Sequence, residues 1–102
     1  MTDTGEQRAV VVYTRGPEWA DGVALGEQDG AREHIAFLVA GYGAGVVELA
    51  GPFHRLEDEV PDGALVGLVV YRCDAAVASS RTQEDPAVRS GLLEFHVLPW
   101  YA

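Results

Sequence analysis

Apolar residues recur along this chain with two different periods. Ala9-Val10-Val11-Val12-Tyr13 is a β-branched and aromatic block that predicts a strand, ended by Gly16-Pro17. Residues 16–29 show no period and read as a loop with Trp19 in its middle. From Gly30 the spacing changes. Ala31, Ile35, Leu38, Val39 and Tyr42 fall on one helical face, with Asp29 as the expected N-cap and Gly41, Gly43 and Gly45 as the expected stop. Residues 46–50 predict a second strand, closed by Gly51-Pro52-Phe53, and residues 54–63 an acidic, solvated connector. Residues 64–71 predict the third strand, and Asp74 the cap of an alanine-rich helix running to about Glu84. Asp85-Pro86 then combines an N-cap with a proline at the first helical position, and Gly91 ends that turn. Residues 92–98 predict the last strand, before Pro99 and Trp100.

The order β-α-β-β-α-β is the ferredoxin-like α+β arrangement, one antiparallel sheet with its helices on a single face. A sheet covered on one side should alternate apolar and polar residues. Here Val10 and Val12 oppose Ala9, Val11 and Tyr13, and Val66, Leu68 and Val70 oppose Leu65, Val69 and Tyr71. Both faces are apolar while helices cover one, so a homodimer joined through the other face is expected. The last strand is more mixed, with Glu94 and His96 beside Leu92 and Leu98.

Composition narrows the partners. At 102 residues the chain fits one domain, taken as residues 8–102 behind a polar tail at 1–7. A net charge of −9 argues against nucleic acid or an anionic membrane, which select clustered positive charge. The polar start, the lack of a long apolar run and the single cysteine, Cys73, make a cytoplasmic domain the expectation.

The chemical candidates are few. The glycines of 41–45 follow a helix rather than open one, so they read as a helix stop and not as a nucleotide fingerprint. The serines lie in no nucleophile elbow, and Cys73 at a strand end reads as an inert buried thiol. No metal-ligand spacing links His34, His54 and His96, and the carboxylates of the connector read as solvated, so no metal is expected. His34 falls about 100° from the apolar stripe, an edge position where a partly desolvated imidazole suits proton transfer; a plain surface histidine is the alternative. Asp85 is accounted for as an N-cap, yet a carboxylate has sites to spare for orienting a histidine. Trp19 is either a lid over a cleft or an anchor of the core.

Several separated segments resemble the YCII-related family of small dimeric α+β-barrel proteins. They are Arg32-Glu33-His34-Ile35, Gly51-Pro52-Phe53, Asp85-Pro86-Ala87-Val88 with Gly91-Leu92, and the close at Val97-Leu98-Pro99-Trp100. The resemblance implies a ferredoxin-like subunit, two of which pair through their sheets, and a site built on His34 and Asp85. It also implies the reactions open to such a dyad. One characterised type is a cofactor-independent dehydrochlorinase of a chlorinated hydroquinone, while related barrels include isomerases, monooxygenases and haem enzymes.

The expectation is therefore a cofactor-independent enzyme performing elimination, isomerisation or a related proton transfer on a small, cyclic organic substrate. His34 is its acid or base and Asp85 the orienting carboxylate. Arg15 and Arg32 are candidate holders of an anionic oxygen, and Tyr13, Trp19 and Phe53 candidate apolar walls. The alternative is a non-catalytic dimeric protein that binds a metabolite in the same cleft.

Overall fold

A computed structural model describes residues 6–53 and 65–101. His54 and the acidic connector lie outside those residues. A four-stranded antiparallel sheet of order β2-β3-β1-β4 is built from β1 (Gln7–Arg15), β2 (Val47–Pro52), β3 (Leu65–Tyr71) and β4 (Leu93–Tyr101). Helices α1 (Ala31–Gly43), α2 (Ala75–Thr82) and the single turn α3 (Pro86–Arg89) lie between them in sequence. This is the ferredoxin-like topology, with one extra turn of helix ahead of β4.

Strand pairing sorts the side chains into two sets. Ala9, Val11 and Tyr13 stand opposite Tyr71, Val69 and Gly67 in β3 and opposite Pro99, Val97 and Phe95 in β4, so they share a face. That face meets Ala78 of α2 and Ala87 of α3 in the core. Val10 and Val12, with Val70, Leu68, Leu98 and His96 as their partners, share the other face. No described helix covers it, and Leu98 and Trp100 at its β4 edge are exposed. Both strands overrun their expected ends through a proline, Pro52 in β2 and Pro99 in β4. Each belongs to an edge strand, where a missing N–H is tolerated on the unpaired side.

Helix α1 departs most from its sequence reading. Its N-cap is Gly30, with φ of 93° and no side-chain cap, in place of Asp29. Its buried residues are Ala31, His34 and Gly41, whereas Ile35, Val39 and Tyr42 of the expected stripe are 50%, 61% and 45% exposed. His34 thus lies on the inner face and not at its edge. Gly41 does not stop the helix. It brings α1 close to β2, because a Cβ there would lie 2.5 Å from Val47 Cγ2. Gly45, at φ of 77°, makes the turn that follows.

That contact fixes the sign of a substitution. Alanine ordinarily favours a helix over glycine by about 1 kcal/mol. Gly41→Ala should instead destabilise the fold by about 1–3 kcal/mol, as overpacking does, lowering the melting temperature by roughly 5–20 °C in a thermal unfolding scan.

Candidate functional site

The site begins with the turn ahead of β4. Asp85 has extended backbone angles, and its Oδ1 accepts the Ala87 N–H at 2.9 Å, the N-cap expected of Asp-Pro. Pro86 supplies the fixed φ of the first helical position, and Ala87, fully buried, is small enough for α3 to sit against the core. One oxygen of the carboxylate is thereby committed to the backbone. The other faces the sheet.

There Asp85 Oδ2 meets two side chains from distant parts of the chain. His34 Nδ1 lies at 2.7 Å, and the Tyr13 hydroxyl donates at 2.8 Å. Asp85 is 0% exposed, Tyr13 1% and His34 4%, so the three groups are shielded together. The Tyr13 and His34 rings also touch edge to face, 5.0 Å between centroids at 84°. Ala87 N–H, Tyr13 O–H and His34 Nδ1–H converge on a group that as a carboxylate only accepts, so Nδ1 carries a hydrogen, and in the neutral imidazole Nε2 has the lone pair. The His34 ring makes no second hydrogen bond among the described residues, and it lines a cleft.

That cleft, about 930 Å³, opens between α1, the strands β2 and β3, and the loop at 16–28. Ile35, Leu38, Val39 and Tyr42 of α1 form one wall; Ile35, Val39 and Tyr42 are exposed because they face the cleft, while Leu38 also packs against the core. Phe53, Ala50 and Pro52 form another. The loop is held in place at both ends. Gly16 N–H donates to the Leu92 carbonyl and Glu18 N–H to the Gly91 carbonyl, both at 2.9 Å. Gly16 must be glycine for that approach, since a Cβ would collide with the Gly91 carbonyl oxygen. Farther on, the buried Gln28 side chain accepts from Ala20 N–H at 2.9 Å and donates to the Ala20 and Val23 carbonyls at 2.8 Å.

Of the residues expected at the site, His34 and Asp85 meet, and Tyr13, Arg15, Trp19 and Phe53 line the cleft. Trp19 is both lining and core neighbour, so the lid and anchor readings describe one residue. Tyr13 is more than a wall, because its hydroxyl belongs to Asp85. Arg32 is exposed and lies outside the lining. His96 sits on the opposite sheet face, beside Val12. Sequence reasoning missed Gln28; its one signal was an amide side chain alone in an otherwise aperiodic loop. Burial raises the Cys73 thiol above its ordinary range, which keeps it protonated. No cluster suited to a metal ion occurs among the described residues.

No protein-family model matches the chain, and no curated protein matches it. Among solved structures, it is similar to the 5-chloro-2-hydroxyhydroquinone dehydrochlorinase TftG of Burkholderia phenoliruptrix, in complex with 2,5-dihydroxybenzoquinone. The TM-score is 0.61 at 17% identity, over 90% of this chain and 92% of that one. The likeness establishes the fold.

Burial, reinforced by the Asp85 charge, pushes the Tyr13 phenol far above its usual value, and burial raises Tyr71 as well. Above about pH 10 the unfolded chain releases these protons while the folded one keeps them. Stability should therefore fall with rising pH, by about 1.4 kcal/mol per pH unit for each phenol. In an absorbance titration both phenols should resist ionisation until the fold is lost, and Tyr13→Phe should reduce the resistant signal to that of Tyr71.

Proposed function

We propose that the protein is an acid–base enzyme acting on a small, ring-containing organic molecule. His34 transfers the proton and Asp85 orients it. The observation that carries this reading is the buried 2.7 Å His34–Asp85 hydrogen bond at the wall of a cleft of about 930 Å³. Apolar walls with a few convergent polar groups suit a compact guest. The YCII-like segments around His34 and Asp85 support the same pairing.

The chemistry follows from the tautomer. His34 Nε2 takes a proton from the guest, and Asp85, remaining a carboxylate, stabilises the imidazolium formed. In an elimination, the electron pair left behind forms the new double bond as the leaving group departs with its own pair. In an isomerisation, the imidazolium returns the proton to a different atom. Tyr13 donates to the same Asp85 oxygen that His34 meets, so carboxylate and imidazole keep one relative orientation. The similarity to a dehydrochlorinase solved with a hydroxylated quinone supports a cyclic, oxygenated guest.

5-Chloro-2-hydroxyhydroquinone is the first substrate to try, with chloride release as the readout. His34→Ala should lower turnover by about 10²–10⁴-fold, the usual contribution of a positioned acid–base group. Asp85→Asn should also lower it, while Tyr13→Phe should have a smaller effect. Binding of 2,5-dihydroxybenzoquinone with no chloride release, or release unchanged in His34→Ala, would favour the non-catalytic binding protein instead.

We further propose that two copies pair through the uncovered sheet face. Val10, Val12 and Leu98 make that face apolar, and Trp100 extends it. Arg8 Nε donates to Glu48 Oε1 at 2.6 Å, raising the arginine's proton affinity and lowering that of the carboxyl, so the charges near this face are matched. Light scattering should give about 22 kDa, twice the 10.9 kDa chain. Val12→Glu, at the centre of the face, should give 10.9 kDa with an unchanged circular dichroism spectrum.

A further inference from the structure

The cleft is chemically lopsided. The chain carries sixteen carboxylates, yet among the described residues none lines it. Among the same residues, Arg15 is the one arginine that does. It ends β1 on the helix-side face, two residues beyond Tyr13 and thus about 7 Å farther along the strand. Its guanidinium lies over the Trp19 ring, 5.2 Å from the ring centroid. Arg8 pairs with Glu48 and Arg89 reaches a backbone carbonyl, whereas Arg81, stacked over Phe37, also has a buried Nε–H without an acceptor but lies outside this cleft. Arg15 has neither an ion pair nor a side-chain hydrogen bond among the described residues.

Two buried donors are left without acceptors here, Arg15 Nε–H and Trp19 Nε1–H. Buried N–H groups are rarely left unpaired. These belong to neighbouring side chains on the same cleft, Arg15 at the end of β1 and Trp19 in the loop that Gln28 and the backbone bonds to Gly91 and Leu92 anchor. A fork of donors beside an indole N–H, fixed before any guest arrives, is suited to an oxygen bearing negative charge.

We infer that Arg15 and Trp19 form an oxyanion subsite, and that the guest is a flat unsaturated ring carrying an ionised oxygen, such as a phenolate or enolate. This rests on the acid–base reading and names its substrate class. The apolar walls of α1 and Phe53 take the ring, Arg15 and Trp19 take the charged oxygen, and His34 faces another edge of the same molecule. When His34 removes a proton, the remaining electron pair delocalises through the ring toward the oxygen that Arg15 holds. An uncharged ring of the same shape lacks that interaction.

The test is calorimetric, with 2,5-dihydroxybenzoquinone, ionised at neutral pH, against its uncharged dimethyl ether. The wild type should prefer the ionised probe by about 10–100-fold, the range of a charge-assisted contact. Arg15→Gln should bring the preference to near unity, and Arg15→Lys should retain part of it. Trp19→Phe keeps a ring and loses the N–H, so it should weaken the ionised probe alone. Circular dichroism checks that each variant is folded, and if Arg15→Gln is not, the lysine and Trp19 variants decide. Equal binding of both probes by the wild type, or a preference that survives in a folded Arg15→Gln, overturns the subsite while leaving the acid–base reading standing. Binding of neither probe overturns the subsite, and unchanged chloride release in His34→Ala overturns the acid–base reading separately.

Discussion

Everything at the centre of this molecule depends on how one buried carboxylate is satisfied. Asp85 sits where water cannot reach it, and an ion there is costly unless hydrogen bonds replace its hydration. Ala87 N–H, Tyr13 O–H and His34 Nδ1–H supply them. These donors come from α3, β1 and α1, so the carboxylate joins three elements that are far apart in sequence. Removing any one donor leaves the others holding a less stable charge. The same arrangement fixes which imidazole nitrogen faces the cleft, so stability and chemistry draw on one set of contacts.

The sheet divides its labour between its faces, and β1 carries the division. Ala9, Val11, Tyr13 and Arg15 point toward the helices and the cleft, while Val10 and Val12 point away. A slip of one residue would exchange the two sets. It would bury Thr14 against Asp85 and leave the Tyr13 hydroxyl outside. Register is pinned by pairing on both sides of β1, along its whole length with β4 and through a bulge at Tyr13/Thr14 with β3. The bulge occurs where the strand leaves the dry core and enters the cleft wall.

The strands and the Asp85 cap were legible because they depend on local chemistry: β-branched runs, an Asp-Pro pair and a positive-φ glycine at Gly91. Helix α1 was legible in extent but not in orientation. Hydrophobic periodicity assumes that apolar residues face the core, and here Ile35, Val39 and Tyr42 face an open cleft. Small residues and His34 take the inner face because α1 approaches β2 closely at Gly41. An open cleft lined by apolar side chains therefore looks like a core in the sequence. The pairing of His34 with Asp85, 51 residues apart, was expected only through the family resemblance, and the Tyr13 bond, 72 residues apart, was hidden because no local pattern records it.

The fixed loop over the cleft explains how so small a chain maintains a site at all. A domain of about 100 residues buries a modest share of its surface and has little packing energy to hold a long connection in one place. Residues 16–28 are nevertheless tied to the rest of the fold by hydrogen bonds of their own. The Gln28 amide closes three backbone bonds at one end, and Gly16 lets the chain press against Gly91 at the other. Both anchors of the first section lead back to the turn that starts at Asp85, through the Gly91 and Leu92 carbonyls. Loop, carboxylate and histidine are thus parts of one hydrogen-bonded unit. Ordering the loop in advance spares a guest that entropic cost on binding. Within this unit the Arg15 Nε–H and the Trp19 Nε1–H have no acceptor among the described residues, which is the feature the proposed subsite is built on.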